Sequence, residues 1–488
     1  MNFFEDLNNV TSDASVLENY LSNNFDRVYD YFELQKHSEL LKIKENLRKY
    51  IGLNIRELRK LDKKSINNQS FIALLLSVCE RLGLASQFKL LYDLLEDSNF
   101  NFGSRLKASS LYLVGVDEFV NHLERYEDFY VLLHTAYEEE EDGKDKLIIT
   151  IINYYSRILI DFGRFNSDAV KQVRDKLLLS ASNDENSFLN DNLIKKILGV
   201  DLDNFEQAFK HLHNLLDEYL NREIVLPPFT PDFLIEKDTR YIELLVQQEP
   251  NFPQIKKLSA DLYKDVRSDS VYYSLQRGVG ILMDEIQLFA YMYSFGNMHY
   301  EKLISAFNVL PLGELENDLN IFDWGCGQAM ATMAYFDFLK NKYVQKEPKY
   351  STLIEPSQAA LQRAAAHVVR YFPKIQVNTI NKSLDFLEKD DFVANIEIAN
   401  LHLFSNIIDI EHFSLNKLLS LIDNTFTGLN YFICVSPFID DLKTNRLNVF
   451  MHHFSNRPDF EILENIDNRK GEWKNGWTRV VRVFKCRI

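Results

Sequence analysis

Asp323, Gly325 and Gly327 occupy alternate positions in NIFDWGCGQAMATMAYFDFL (320–339), between a short apolar run and what reads as a helix. Two glycines at a strand-to-helix turn let the main chain turn tightly and come close to a ligand, where a side chain would collide with it. The helix that follows offers free N–H groups to the same ligand. The aspartate ends the strand and faces the crevice, which in an open α/β sheet lies at the carboxyl ends of the strands. A second acid, Glu355 in LIEPSQAAL, ends the next apolar run and precedes a helix capped by Ser357. A dinucleotide turn wants G-x-G-x-x-G, and Met330 stands where its last glycine would be.

The elements that must hold these residues are legible from about residue 320. Strand candidates are 320–324, 350–355, 375–381, 395–400 and 430–436. Helix candidates follow them at 328–340, 357–372, 384–389, 411–422 and 440–455. Alternating strand and helix imply a parallel sheet with right-handed crossovers. Two more strands, 460–465 and 478–486, enclose the turn signal Asn475-Gly476 and imply an antiparallel edge.

All 11 prolines lie after residue 226. Proline breaks helix interiors, so a proline-free stretch with amphipathic periodicity is expected to be helical. In 203–220, Phe205, Ala208, Phe209, Leu212, Leu215, Leu216 and Tyr219 form one apolar stripe. Residues 71–97 read as two helices joined near Gly83 with Ser86 as N-cap, 147–160 as a buried helix, and 167–180 as a helix opening on a Ser-Asp cap. The acidic run 137–146 reads as a solvated loop. These helix pairs resemble an irregular α-solenoid of the tetratricopeptide or HEAT type without a fixed repeat; an irregular bundle is the alternative. The expected organisation is a helical array over 1–226, a linker and helical connection over 227–279 opened by REIVLPPFTPDF (222–233), and an α/β domain over 280–488.

The segment D-x-G-x-G-x-A, with Ala329 in its last place, resembles motif I of the class I S-adenosylmethionine-dependent methyltransferases, D/E-x-G-x-G-x-G. Glu355 matches that family's second acid, which accepts hydrogen bonds from both ribose hydroxyls. LHLFSNIIDI (401–410) is similar to the stretch V-L-H-H-I-x-D after its fourth strand, with Asp409 at the final acid. The closing hairpin is what the family's seventh, antiparallel strand implies. The resemblance covers roughly 280–488. It implies a Rossmann-like seven-stranded domain and S-adenosylmethionine as cofactor, held by Asp323, Gly325, Cys326, Gly327, Glu355, Pro356, Ser383, Leu384 and Asn400. Ser383 departs from the family's usual aspartate. The aromatic stretch 290–300 would close over the methionine end of the cofactor or pack in the core.

Methyl transfer from a sulfonium is an in-line displacement that needs alignment above all. A protic oxygen or nitrogen acceptor can need a base, for which His402 is the candidate; Asn406 is the candidate for orienting the acceptor. The signature for exocyclic amines of bases and a Pro-Cys nucleophile are both absent after the fourth strand. No metal pair is expected from His211 and His213, which face different sides of a helix.

The chain has 488 residues and a net charge of −16. Residues 1–279 carry 34 Lys and Arg against 46 Asp and Glu, and residues 280–488 carry 21 against 25. That balance disfavours non-specific binding to a phosphate backbone, although residues 457–488 are locally basic. The four cysteines form no C-x-x-C pair and read as buried thiols of a reducing cytosol. No signal peptide or bilayer span is expected. A small-molecule or protein acceptor is expected, with a protein partner recruited through the helical region. The alternative is a cofactor-binding scaffold without catalysis, and a nicotinamide oxidoreductase is disfavoured by Met330.

Overall fold

The computed structural model describes residues 3–96, 98–114, 125–138, 144–162, 167–183, 187–222, 239–275, 280–311, 313, 319–344, 347–392 and 398–488. The Pro227-Pro228 boundary and residues 139–143 of the acidic run lie outside the described residues, and the two ends of that run belong to helices rather than to a loop. The chain divides into two compact units, residues 1–224 with 439–445, and residues 225–438 with 446–488.

The first unit is helical. Its helices are α1 (Phe3–Thr11), α2 (Ala14–Glu33), α3 (His37–Leu58), α4 (Ile66–Arg81), α5 (Ala85–Glu96), α6 (Gly103–Leu113), α7 (Tyr126–Glu138), α8 (Lys144–Phe162), α9 (Ser167–Asn183), α10 (Asn192–Leu198) and α11 (Phe205–Leu220). The stripe on α11 packs as its spacing predicts, with Ala208, Leu212 and Leu216 buried against Ile151, Ile152 and Tyr155 of α8 in one core. Gly83, at φ +63, makes the turn between α4 and α5. Ser86 lies inside α5, which already begins at Ala85, and so is not its N-cap. A buried Arg105–Glu80 pair at 2.6 Å joins α6 to α4, and Thr150 of α8 donates to the same carboxylate at 3.0 Å.

The second unit opens with α12 (Arg240–Leu245), α13 (Phe252–Tyr263), α14 (Asp269–Ser274) and α15 (Glu285–Phe307). Residues 239–275 do more than connect: Tyr241, Leu245, Phe252 and Ile255 are core residues of this unit. The α/β part follows as β1 (Leu319–Trp324), α16 (Met330–Asn341), β2 (Tyr350–Ile354), α17 (Gln358–Tyr371), β3 (Gln376–Ile380), β4 (Ala399–Ser405), α18 (Leu415–Thr425), β5 (Leu429–Ser436), α19 (Asp441–His453), β6 (Glu461–Asn468) and β7 (Arg479–Arg487). The sheet order is β3-β2-β1-β4-β5-β7-β6, with β7 alone antiparallel to the other strands, against both β5 and β6. This is the seven-stranded arrangement with an antiparallel seventh strand that the resemblance implies.

Strand alternation sends side chains to two cores. Ile321, Leu401, Leu403 and Ile433 face the core shared with α15, α16 and α17. Phe322, Trp324, Phe404 and Phe432 face the other, with α18 and α19.

Two further expectations differ from the structure. Two short 3-10 turns, Leu384–Phe386 and Lys389–Asp391, replace the helix expected over 384–389. The fourth strand is Ala399–Ser405 rather than 395–400. Residues 401–405, expected to leave the sheet, are its interior.

Candidate active site

The turn after β1 places three residues in the left-handed region at alternate positions: Gly325 (φ +60), Gly327 (φ +52) and Ala329 (φ +61). The two glycines serve different ends. A Cβ on Gly325 would stand 2.3 Å from Cδ1 of Ile407, so its missing side chain makes room for a residue of the β4 exit rather than for a ligand. A Cβ on Gly327 would meet nothing within 4 Å, which leaves open space above the turn. Ala329 adopts the same conformation with a side chain, at a cost of about 1–2 kcal/mol.

The two acids are buried and differently engaged. Asp323 is 1% exposed, and its Oδ2 accepts from the Thr332 amide at 3.2 Å and hydroxyl at 2.6 Å. It therefore caps the first turn of α16, which has no side-chain cap of its own. It is not open to the crevice as the sequence reading has it. Glu355 lies just beyond β2. One of its oxygens accepts from the Ser357 amide at 2.9 Å and the other from the Gly327 amide at 3.0 Å. Each oxygen keeps further lone-pair capacity. Burial pushes both carboxyls up to about 7. Among the described residues, Thr332 and Glu355 act on Asp323, Ser357 and Gly327 act on Glu355, and no cation acts on either.

The surrounding contacts fix this turn. Cys326 donates its amide to Ile354 at 2.9 Å and is buried, with its thiol pushed well up by burial. Gln328 donates to the Leu288 carbonyl at 2.9 Å, holding α15 beside the turn. Ser357 caps α17 through the Ala360 amide and donates to the Leu282 carbonyl. Asn381 donates to the carbonyls of Glu355 and Pro356 at 2.9 and 2.8 Å, fixing the exit of β2. Ser383 and Leu384 lie half-buried beyond the carboxyl end of β3.

Two expected site residues are elsewhere. His402 is wholly buried within β4, where its Nδ1 accepts from Trp324 Nε1 at 3.2 Å and its Nε2 meets Asn430 Oδ1 at 3.0 Å. Its ring stacks on Phe432, and burial pushes its pKa down to about 4. With both nitrogens engaged inside the sheet, it is a core histidine and not the base. Asn400 is the second residue of β4, at the amino end of the strand. It bridges Asn320 Nδ2 at 3.0 Å and Asn430 Oδ1 at 2.9 Å across β1, β4 and β5, away from the glycine turn. Asn406, by contrast, is at the carboxyl end of β4 with φ +57, and its Nδ2 lies 3.1 Å from the ring of His299.

The sequence reading missed Thr332, Gln328, Asn381, Ile407, His299 and Lys302. A hydroxyl nine residues after Asp323 was the available signal for Thr332. The others follow only from packing.

No family model matches the chain, and no curated protein matches it. Among solved structures, magnesium protoporphyrin IX methyltransferase from Synechocystis, with bound S-adenosylmethionine, is 8% identical at a TM-score of 0.28, over 47% of this chain and 96% of that one. A S-adenosylmethionine-dependent methyltransferase from Clostridium acetobutylicum is 12% identical at 0.28, over 41% and 98%. The type I restriction-modification methyltransferase subunit from Streptococcus thermophilus is 12% identical at 0.26, over 92% and 85%. Scores this low bear on neither chemistry nor partners, which rest on the chain's own geometry.

Proposed function

We propose that the second unit binds S-adenosylmethionine and transfers its methyl group to an oxygen or nitrogen of an acceptor. The observation that carries this reading is the Gly327–Glu355 pair. A hydroxyl pair can donate to the free lone pairs of Glu355 while the main chain at Gly327, with open space beside it, comes close to the rest of the ligand. A sugar diol fits such a carboxylate. Met330 stands where a dinucleotide turn has its last glycine. This favours a cofactor without phosphates over a nicotinamide dinucleotide.

Bound there, the cofactor would supply a methyl on a positively charged sulfur that leaves as a neutral thioether. The chain's task is to hold and align. Glu355 and Gly327 hold the sugar, Asp323 and Thr332 fix the turn, and Asn406 orients the acceptor at the end of β4. Ser383 and Leu384 would flank the far end of the cofactor.

A second reading, a cofactor-binding scaffold that works through the helical unit, draws on His402 being unavailable as a base. Methyl transfer to any acceptor separates the two.

The test is isothermal titration of the full chain with S-adenosylmethionine and, separately, NADH. Binding of the first alone is expected. Binding of NADH alone, or of neither, overturns the assignment.

A further inference from the structure

Among the described residues, two buried polar atoms near the carboxyl end of β4 lack hydrogen-bond partners. Lys302, on α15, is 1% exposed and its Nζ is unpartnered. The Oδ1 of Asn406 is buried and unpartnered as well. The two belong to one cluster. Asn406 Nδ2 meets the ring of His299, one helical turn before Lys302, and the Lys302 charge acts on that ring. Asp409, three residues beyond Asn406, acts on Lys302 and accepts from Ser436, the last residue of β5, at 2.7 Å. Buried polar atoms are ordinarily paired, and leaving them unpaired costs free energy.

Resting on the methyl-transfer reading, we propose that Lys302 and Asn406 form the acceptor subsite, that Lys302 is the base, and that the acceptor is a nitrogen bearing two hydrogens.

Burial pushes the Lys302 amine down to about 7, against the opposing pull of Asp409. Its lone pair is therefore available near neutral pH, and both unpartnered atoms then accept hydrogen bonds. A hydroxyl has one hydrogen to give them. An NH2 group has two, and satisfies both. Other charged groups on or against α15 have partners: Glu285 pairs with Arg363 at 2.8 Å, and Lys256 and Arg267 lie over the Tyr293 ring. His299 is buried, with its pKa pushed down to about 3. Glu301 pairs with Lys474 at 2.9 Å. Arg479 of β7 donates to Ser305 at 2.7 Å, and Asp337 of α16 accepts from Tyr300 at 3.2 Å and from the Phe252 amide at 2.9 Å.

In the step, Lys302 takes one N–H proton as the acceptor's electron pair forms the new N–C bond to the methyl. The C–S bond breaks with its pair going to sulfur, which becomes a neutral thioether. The proton stays on the Lys302 ammonium, which Asp409 stabilises, until water removes it.

The test needs no acceptor. S-adenosylmethionine and S-adenosylhomocysteine differ by the methyl and the charge on sulfur, so effects shared by both ligands cancel in the ratio of their affinities. That ratio is measured by titration from about pH 6 to about pH 9 in wild type, Lys302→Met and Lys302→Arg. In wild type, preference for the sulfonium ligand should rise by roughly tenfold or more with pH, as the neighbouring ammonium loses its charge. Lys302→Met should remove that rise beyond the titration of the ligands and of the Asp323 and Glu355 carboxyls, which are also pushed to about 7, and Lys302→Arg should weaken the sulfonium ligand at every pH. An unaltered rise in both folded variants overturns the proposal. Binding of neither ligand to wild type overturns the cofactor reading instead.

Discussion

The amide of Gly327 donates to one carboxylate oxygen of Glu355 across 3.0 Å, joining the turn after β1 to the end of β2. Two strand ends separated by a whole helix thus share one hydrogen bond, and the pair presents a carboxylate beside bare main chain. Changes at these positions should separate fold from binding.

Glu355→Gln should flatten the pH dependence of the empty protein's stability, while its NH2 faces the amide N–H of Ser357 or Gly327 and costs about 1–3 kcal/mol at every pH. Burial raises the folded carboxyl from 4.5 to about 7, so between those values the folded state holds more protons than the unfolded one. Stability contributed by this group is full below about pH 4.5 and falls as pH rises through about 7. The amide removes that loss, on the order of 2–3 kcal/mol at pH 8. It should also weaken S-adenosylmethionine by about 1–3 kcal/mol through a lost charge-assisted bond. Melting curves at pH 5 and pH 8 with titration calorimetry check both.

Gly325→Ala and Gly327→Ala should fail differently. Both strain the backbone by about 1–2 kcal/mol. Only at Gly325 does the new methyl strike Ile407, so Ile407→Ala should partly rescue Gly325→Ala in a double-mutant cycle read by denaturant unfolding. Gly327→Ala should remain folded and lose ligand affinity, since its methyl enters the open space. Additive effects of Gly325→Ala and Ile407→Ala would refute the contact.

Ala329→Gly sets two terms against each other. Relief of the left-handed strain is worth about 1–2 kcal/mol, and loss of one buried methyl costs about 0.8 kcal/mol. The net expectation is a small stabilisation of up to about 1 kcal/mol, measured by chemical denaturation. A loss of stability would mean that packing of the buried methyl outweighs the strain.

His402→Leu should act on stability and leave ligand affinity unchanged in the folded protein. It strands Trp324 Nε1, a cost of about 1–3 kcal/mol, while Asn430 Oδ1 keeps its bond from Asn400 at 2.9 Å. The wild-type ring is held neutral, with its pKa lowered from 6.5 to about 4. Its contribution is therefore present above pH 6.5 and is lost as pH falls toward about 4. The leucine variant should lack that part of the acid sensitivity in melting curves taken across the window.

Much of the fold was legible in local pattern. Short strand-like runs between helical stretches located six of the seven strands, and the stripe on 203–220 marks a helix whose buried face matches. The glycine turn and Glu355 were legible because tight turns and acids at strand ends leave local marks. The fourth strand was misplaced because 395–400 and 401–405 are adjacent and each carries three apolar residues among polar ones. A shift of a few residues then carried His402 from the strand's interior to its mouth in the sequence reading.

What the sequence determined by itself was which segments must turn, alternate or coil, since φ freedom, side-chain period and proline placement act within a few residues. What only the tertiary structure decided was which polar atoms end without partners. His402 and Lys302 are both titratable residues in apolar surroundings. The histidine meets Trp324 and Asn430 from neighbouring strands, whereas the lysine meets no hydrogen-bonding atom among the described residues. Hydrogen bonding in the core depends on which distant segments pack together, and no local pattern encodes it.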